Sequence, residues 1–146
     1  MNFRILSIDY GSKRTGLAVT DQFQLIASGV TTIKTKNLMH FLSSYIYEEN
    51  IQKVVIGEPK NWKNLPSVIE KEIQYFISKF CLTFPEVYID RIDERFTSKL
   101  AKKTLIGIKK SIKTNKNILD KISATLILQS YLIQNKKRKE MDDCTY

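Results

Sequence analysis

Four stretches of the chain put carboxylates where secondary-structure elements should end: Asp9 in LSIDYGSKRTGLAVTD, Glu58 in VVIGEP, Asp93 and Glu94 in IDERFTS, and Asp120 in NILDKISATLILQSYL. An acid at the end of a strand buried on both faces needs a partner or an open cleft. Asp9, Glu94 and Asp120 come from distant segments, and such a set suits a hard cation. Mg2+ takes oxygen ligands, keeps several waters and lets phosphate oxygens complete its shell. Two such ions activate an attacking water and stabilise the leaving oxygen of a phosphodiester. Each acid also has a plainer explanation. Asp9 can form a turn ahead of Gly11. Asp93, Glu94 and Arg95 can pair on the surface before a helix capped by Thr97 or Ser98. Asn117 and Asp120 are spaced like a capping pair, and Glu58 can be a solvated loop acid.

The elements that must position these acids follow from the pattern. Phe3 to Asp9, Gly16 to Thr20 and Gly29 to Lys34 are β-rich and close in succession, which predicts an antiparallel meander. Leu38, Phe41, Leu42, Tyr45 and Ile46 recur at helical spacing, and that helix should stop near Asn50. Lys53 to Ile56 is a short apolar strand ended by Gly57 and Pro59. Val68, Ile69, Ile73, Phe76, Ile77 and Phe80 outline a second helix entered through Pro66 and Ser67. Pro85 precedes a fifth strand, Glu86 to Ile92. A third helix is expected after Thr97 or Ser98, and a last one over Ile118 to Gln134. Residues 1–135 then form one domain, and 136–146 a basic, then acidic, flexible tail.

If the fifth strand continues through this cluster, Asp93 and Glu94 face opposite sides. Glu94 shares parity with Ile92 and Phe96, so it is the one expected to face inward toward Asp9, with Asp93 and Glu58 in reserve. Asp120 lies on the same stripe as Ser123, Ala124, Ile127, Leu128 and Tyr131, which should face the sheet. The order of three strands, helix, strand, helix, strand and helices makes an α/β mixed five-stranded sheet, a meander plus parallel strands, with helices on both faces. It is the order of the ribonuclease H-like fold. It also opens each half of the actin-like ATPases, so topology alone leaves nuclease and phosphotransferase open.

Composition narrows the field. Lysine and arginine number 24 against 15 acids, a formal charge of +9, which favours a polyanionic partner such as nucleic acid. The surplus crowds into Lys99 to Lys116, including Lys109 and Lys110, and into Lys136 to Lys139; solvated helix faces are the alternative. Cys81 and Cys144 are not spaced as a disulfide framework or zinc site. No segment is apolar enough for a membrane span, so no membrane partner and a cytoplasmic protein are expected. The single histidine, His40, should sit on a helix surface, and Cys81 should pack in or after the second helix. Trp62, between two lysines, is either a base-stacking residue or a core lid.

LSIDYGSKRTGLAVTD, VVIGEPKN, DERFTSKLAKKTL and DKISATLILQSYL resemble, in order and spacing, the YqgF (RuvX) family of Holliday-junction resolvases, also described as nucleases that process the precursor of small-subunit ribosomal RNA. The resemblance spans Arg4 to about Gln134. It implies a ribonuclease H-like fold, a divalent-metal nuclease mechanism with Mg2+ or Mn2+, and a cytoplasmic location. Asp9, Glu94 (with Asp93 beside it) and Asp120 fall on the family's acids, Lys13 and Arg14 on its basic turn, and Arg95 on the arginine after the acids. Gly57-Glu58-Pro59 replaces the usual Gly-Leu-Pro, Lys63-Asn64-Leu65-Pro66 replaces a glycine-rich continuation, and Ser123-Ala124 replaces paired alanines.

The expectation is a metal-dependent endonuclease on structured nucleic acid. Asp9, Glu94 and Asp120 serve as catalytic metal ligands, and Lys13, Arg14, Arg95, Lys109 and Lys110 hold phosphates. The 5′ end of pre-16S rRNA, in a ribosomal context, is the first-choice substrate and the four-way DNA junction the second. Monomer and homodimer both remain open. Different classes of function are an actin-like phosphotransferase, which needs a second glycine-rich phosphate turn absent here, and a noncatalytic RNA-binding module.

Overall fold

A computed structural model of the chain describes residues 2–60, 63, 67–94 and 116–144. Three strands come first, β1 (Arg4–Asp9), β2 (Arg14–Thr20) and β3 (Ala27–Lys34). A single 3-10 turn, Thr35–Asn37, leads into α1 (Leu38–Glu48). β4 (Ile51–Glu58), α2 (Glu70–Thr83), β5 (Tyr88–Asp93) and the long α3 (Lys116–Asp143) follow. The five strands form one sheet in the order β3-β2-β1-β4-β5. β1 pairs antiparallel with β2 and β2 with β3, whereas β4 is parallel to both β1 and β5.

Strand alternation sends residues to two cores. On one face Leu6, Ile8, Leu17, Val54 and Ile56 pack with Leu38, Leu42 and Ile46 of α1 and Ile73, Phe76 and Phe80 of α2. On the other, Ile5, Ala18, Val55 and Ile92 pack with Ala124, Ile127, Leu128 and Tyr131 of α3. The expected sheet-facing stripe of the last helix is therefore the buried one. A leucine such as Leu128, fully buried here, is worth about 2–5 kcal/mol against alanine.

Several boundaries differ from the sequence expectation, each for a physical reason. β2 begins at Arg14, because Arg14 and Thr15 pair with Lys34 and Ile33 across the meander. β4 extends through Glu58, whose pairing with Asp93, like that of Gly57 with Ile92, carries the ladder to Pro59. Glu58 is thus a strand residue and not a loop acid. Glu86 and Val87 turn before β5 starts. α3 runs through the basic segment to Asp143, so 136–143 is helix and not the flexible tail expected there. Lysine, arginine, glutamine and glutamate all favour helix, and no glycine or proline interrupts them. Cys81, expected to pack, is exposed, as is His40, which sits on the surface of α1 as anticipated. The helix expected after Thr97 or Ser98, and Trp62, lie outside the described residues.

Candidate active site

Asp9 closes β1 directly opposite Gly16 of β2. It shares its face by alternation with Ile5 and Ser7. Ile5 belongs to the α3-side core, and the Ser7 hydroxyl donates to the Ala124 carbonyl of α3 at 2.6 Å. Asp9 therefore lies on the α3 face. Gly16 explains how the helix comes so near: a Cβ there would strike the backbone carbonyl of Asp120. The absence of a side chain on the rung opposite Asp9 lets α3 rest on the sheet with Asp120 beside the hairpin.

Asp120 is gripped from that hairpin. Arg14 Nε donates to its Oδ2 at 3.2 Å, in a part-exposed ion pair. Because α3 starts at Lys116, Asp120 stands one turn inside the helix and its side chain is not a cap. The Asn117 carbonyl instead accepts a hydrogen bond from the Thr32 hydroxyl of β3.

Glu94 follows β5 on the same face. Its carboxylate lies over Gly57, together with the Ile127 side chain of α3, where a Cβ on residue 57 would collide with it. β4 runs between β1 and β5, so Gly57 leaves a gap between the positions of Asp9 and Glu94, and the Glu94 carboxylate leans into that gap. Burial pushes its pKa above the ordinary carboxylate range, and nearby Asp93 and Glu70 add to the rise while Arg91 opposes it. A desolvated carboxylate of this kind is favoured in its charged form by a cation.

The other two acids sort to the opposite face. Lys60 Nζ stands 3.4 Å from Glu58 and 3.9 Å from Asp93, joining the two. Beside them Arg91 forks onto Glu70 of α2 at 2.7 and 3.1 Å and donates to the carbonyls of Ile56 and Gly57. This cluster pins α2 to the end of β4. It also places Asp93 and Glu58, the two reserve residues, on the face opposite Asp9, while Glu94 takes the side its parity implied.

Among the described residues no three acid, thiol or imidazole groups stand close enough to hold one ion. Asp120 is engaged by Arg14, and Glu94 bends over Gly57. Asp9 and Glu94 share the sheet face that α3 covers, with Asp120 on α3 itself, while the present side-chain arrangement gathers no three such groups among the described residues. The residues fit a hard divalent cation by donor type, being carboxylates only, and by the side-chain-free cradle at Gly57 between two of them.

Basic residues flank this edge. Lys13 and Arg14 sit in the β1–β2 hairpin, and with Thr32, Lys34 and Lys36 they line a cavity of about 480 Å3 that reaches the start of α3 at Asn117. Lys34 and Lys36 escaped the sequence reading, although their i,i+2 spacing at the end of β3 was the available signal. Arg91 was also missed, since its partners are distant in sequence. Arg95, Lys109 and Lys110 lie outside the described residues.

A sequence model of the family described as "RuvX: Holliday junction resolvase" matches residues 3–134. Among curated relatives, a protein of Flavobacterium psychrophilum is 51% identical over 131 residues, covering 88% of this chain and 96% of its own. One of Christiangramia forsetii is 48% identical over 133 residues, 90% of this chain and 98% of its own. Both carry the name "Putative pre-16S rRNA nuclease". Among solved structures, RuvC of T. thermophilus in complex with a Holliday junction substrate superposes with a TM-score of 0.57 at 11% identity, over 90% of this chain and 96% of that one. The fowlpox virus Holliday junction resolvase does so at 0.52 and 18% identity, over 90% and 99%. At these identities the structural likeness bears on the fold alone, which is the ribonuclease H-like fold expected from the element order.

Proposed function

This chain belongs to the RuvX family of Holliday junction resolvases, and on that premise we propose that it is a metal-dependent endonuclease acting on structured nucleic acid, with the 5′ end of pre-16S rRNA as its substrate in ribosome biogenesis. The observation that carries the reading is the side-chain-free gap at Gly57 between Asp9 and Glu94, on the sheet face that α3 covers with Asp120 beside it.

Asp9, Glu94 and Asp120 would hold Mg2+ or Mn2+, which when bound supplies an activated water and neutralises the leaving oxygen. Asp9 is fixed on a rigid strand. Glu94 is partly buried beside α3, which raises its pKa, so a bound cation would favour its charged form. Asp120 is held in place by Arg14 until another anion draws that guanidinium away. Lys13 and Arg14 offer donors to backbone phosphates, the role proposed also for Arg95, Lys109 and Lys110. The names borne by relatives that are half identical over nearly their whole length support the ribosomal RNA precursor and a cytoplasmic, ribosome-linked setting.

A second reading, four-way DNA junction resolution, is favoured by the family description. Symmetric cleavage of a junction needs two sites, so it requires a homodimer, whereas precursor trimming is compatible with a monomer. Purified protein with Mg2+ or Mn2+, offered a pre-16S rRNA fragment and a synthetic four-way junction, distinguishes the two. Cleavage of the RNA alone supports the proposal. Cleavage of the junction alone moves the assignment to recombination, and cleavage of neither removes the nuclease reading. The family match leaves the actin-like alternative without support.

A further inference from the structure

We propose that the cavity beside the β1–β2 hairpin is an outer seat for the nucleic-acid backbone, in which Lys34 and Lys36 hold phosphates away from the one being cleaved. This rests on the nuclease reading and extends it to the end of the edge strand and the turn after it. Among the described residues four cations line the cavity, Lys13, Arg14, Lys34 and Lys36, and Arg14 also pairs with Asp120 of α3. Lys13, Lys34 and Lys36 are exposed, and Ser12 adds a hydroxyl. At about 480 Å3 the space is in the range of small-ligand sites and admits a nucleotide unit.

The cations are held in a fixed relation to one another. Thr35, between Lys34 and Lys36, donates its backbone NH to the Lys13 carbonyl at 2.9 Å, and its hydroxyl donates to the Gly11 carbonyl at 2.6 Å. That hydroxyl also meets the Thr15 hydroxyl at 2.9 Å. The two basic segments, 20 residues apart along the chain at Thr15 and Thr35, thus move as one unit. Because Arg14 connects the cavity to Asp120, a strand seated here runs directly toward the acid edge. Phosphodiester oxygens are the ligand this chemistry recognises; no base-reading group is required, so RNA and DNA backbones should both enter.

The test is the salt dependence of binding, measured in EDTA so that no cleavage intervenes, on a short unstructured RNA and on a DNA duplex. Replacing two phosphate-contacting lysines in Lys34→Gln/Lys36→Gln should lower the slope of log K against log salt by about 1.4 on the single strand and about 1.8 on the duplex. Lys34→Arg/Lys36→Arg, which keeps both charges, should retain the parent slope. Lys136→Gln/Lys139→Gln, near the far end of α3, should also leave it unchanged. An unaltered slope in the glutamine variant, or a loss of the same size in the arginine or Lys136/Lys139 variants, overturns the seat. If the seat fails while the parent still cleaves in Mg2+, the nuclease reading stands. If the glutamine variant shows the slope loss but the parent cleaves nothing, the seat stands and that reading falls. A parent that neither binds nor cleaves overturns both.

Discussion

Gly57 and Glu94 illustrate how a single missing side chain can place a charge. A methyl group on residue 57 would meet the far end of a flexible glutamate, together with Ile127 of α3. Gly57→Ala should therefore fold, with a stability loss within about 1–3 kcal/mol, but lose most of its metal-dependent cleavage because the Glu94 carboxylate is displaced. Thermal unfolding and a cleavage assay on one preparation check both halves. Glu94 itself carries a carboxyl whose pKa in the folded protein is raised by burial. Such a group favours the folded state fully below its unfolded pKa, and that advantage fades as pH climbs through the raised value. Glu94→Gln should accordingly unfold at no lower a temperature than the parent near neutral pH while losing cleavage. A large destabilisation would mean that Glu94 serves the fold. Its inward direction was legible in the sequence because strand parity with Ile92 is a local property. The fate of Glu58 and Asp93 was not, because it depends on Lys60 joining two strands across the other face.

At the scale of elements, the decisive contact is α3 on β2. At Gly16 a new Cβ meets the Asp120 carbonyl, which is backbone and cannot rotate aside. Gly16→Ala should thus cost more than about 3 kcal/mol by forcing the helix off the sheet, above the range for Gly57→Ala, and denaturant unfolding of the two variants compares them. The second structural tie is Arg91 with Glu70, which fastens α2 to the end of β4. The Arg91 hydrogen bonds hold the Glu70 carboxyl below its ordinary pKa. Its stabilising contribution is then present above the unfolded pKa and lost as pH falls through the lowered one. Glu70→Gln should be less stable than the parent at neutral pH, by about 1–3 kcal/mol, with the difference closing in acid. A gap that stays constant with pH would contradict this. The sequence made the strand and helix order readable, since periodicity and the breakers Pro59 and Pro85 are local signals. It did not reveal where the last helix ends. The Lys136 to Lys139 run looked like a tail by charge, while helix propensity and the absence of a breaker carry α3 to Asp143.

For the whole molecule, a charge of +9 on 146 residues sets the terms of encounter with a polyanion. Association should slow steeply with added salt. The sheet and its two helical layers bring Asp9, Asp120 and the basic hairpin to one end, although they are scattered along the sequence. Spacing alone named these acids as candidates, and only the packing of α3 over the sheet groups them on one face. The most direct measurement of the central claim is Mg2+-dependent cleavage of a pre-16S rRNA fragment by the parent and by Asp9→Asn, with binding of the same RNA recorded for both. The account predicts cleavage by the parent and RNA affinity within about twofold for the variant, with its cleavage reduced by at least about a hundredfold, the scale on which catalytic groups act. Cleavage by Asp9→Asn at the parent's rate would contradict it.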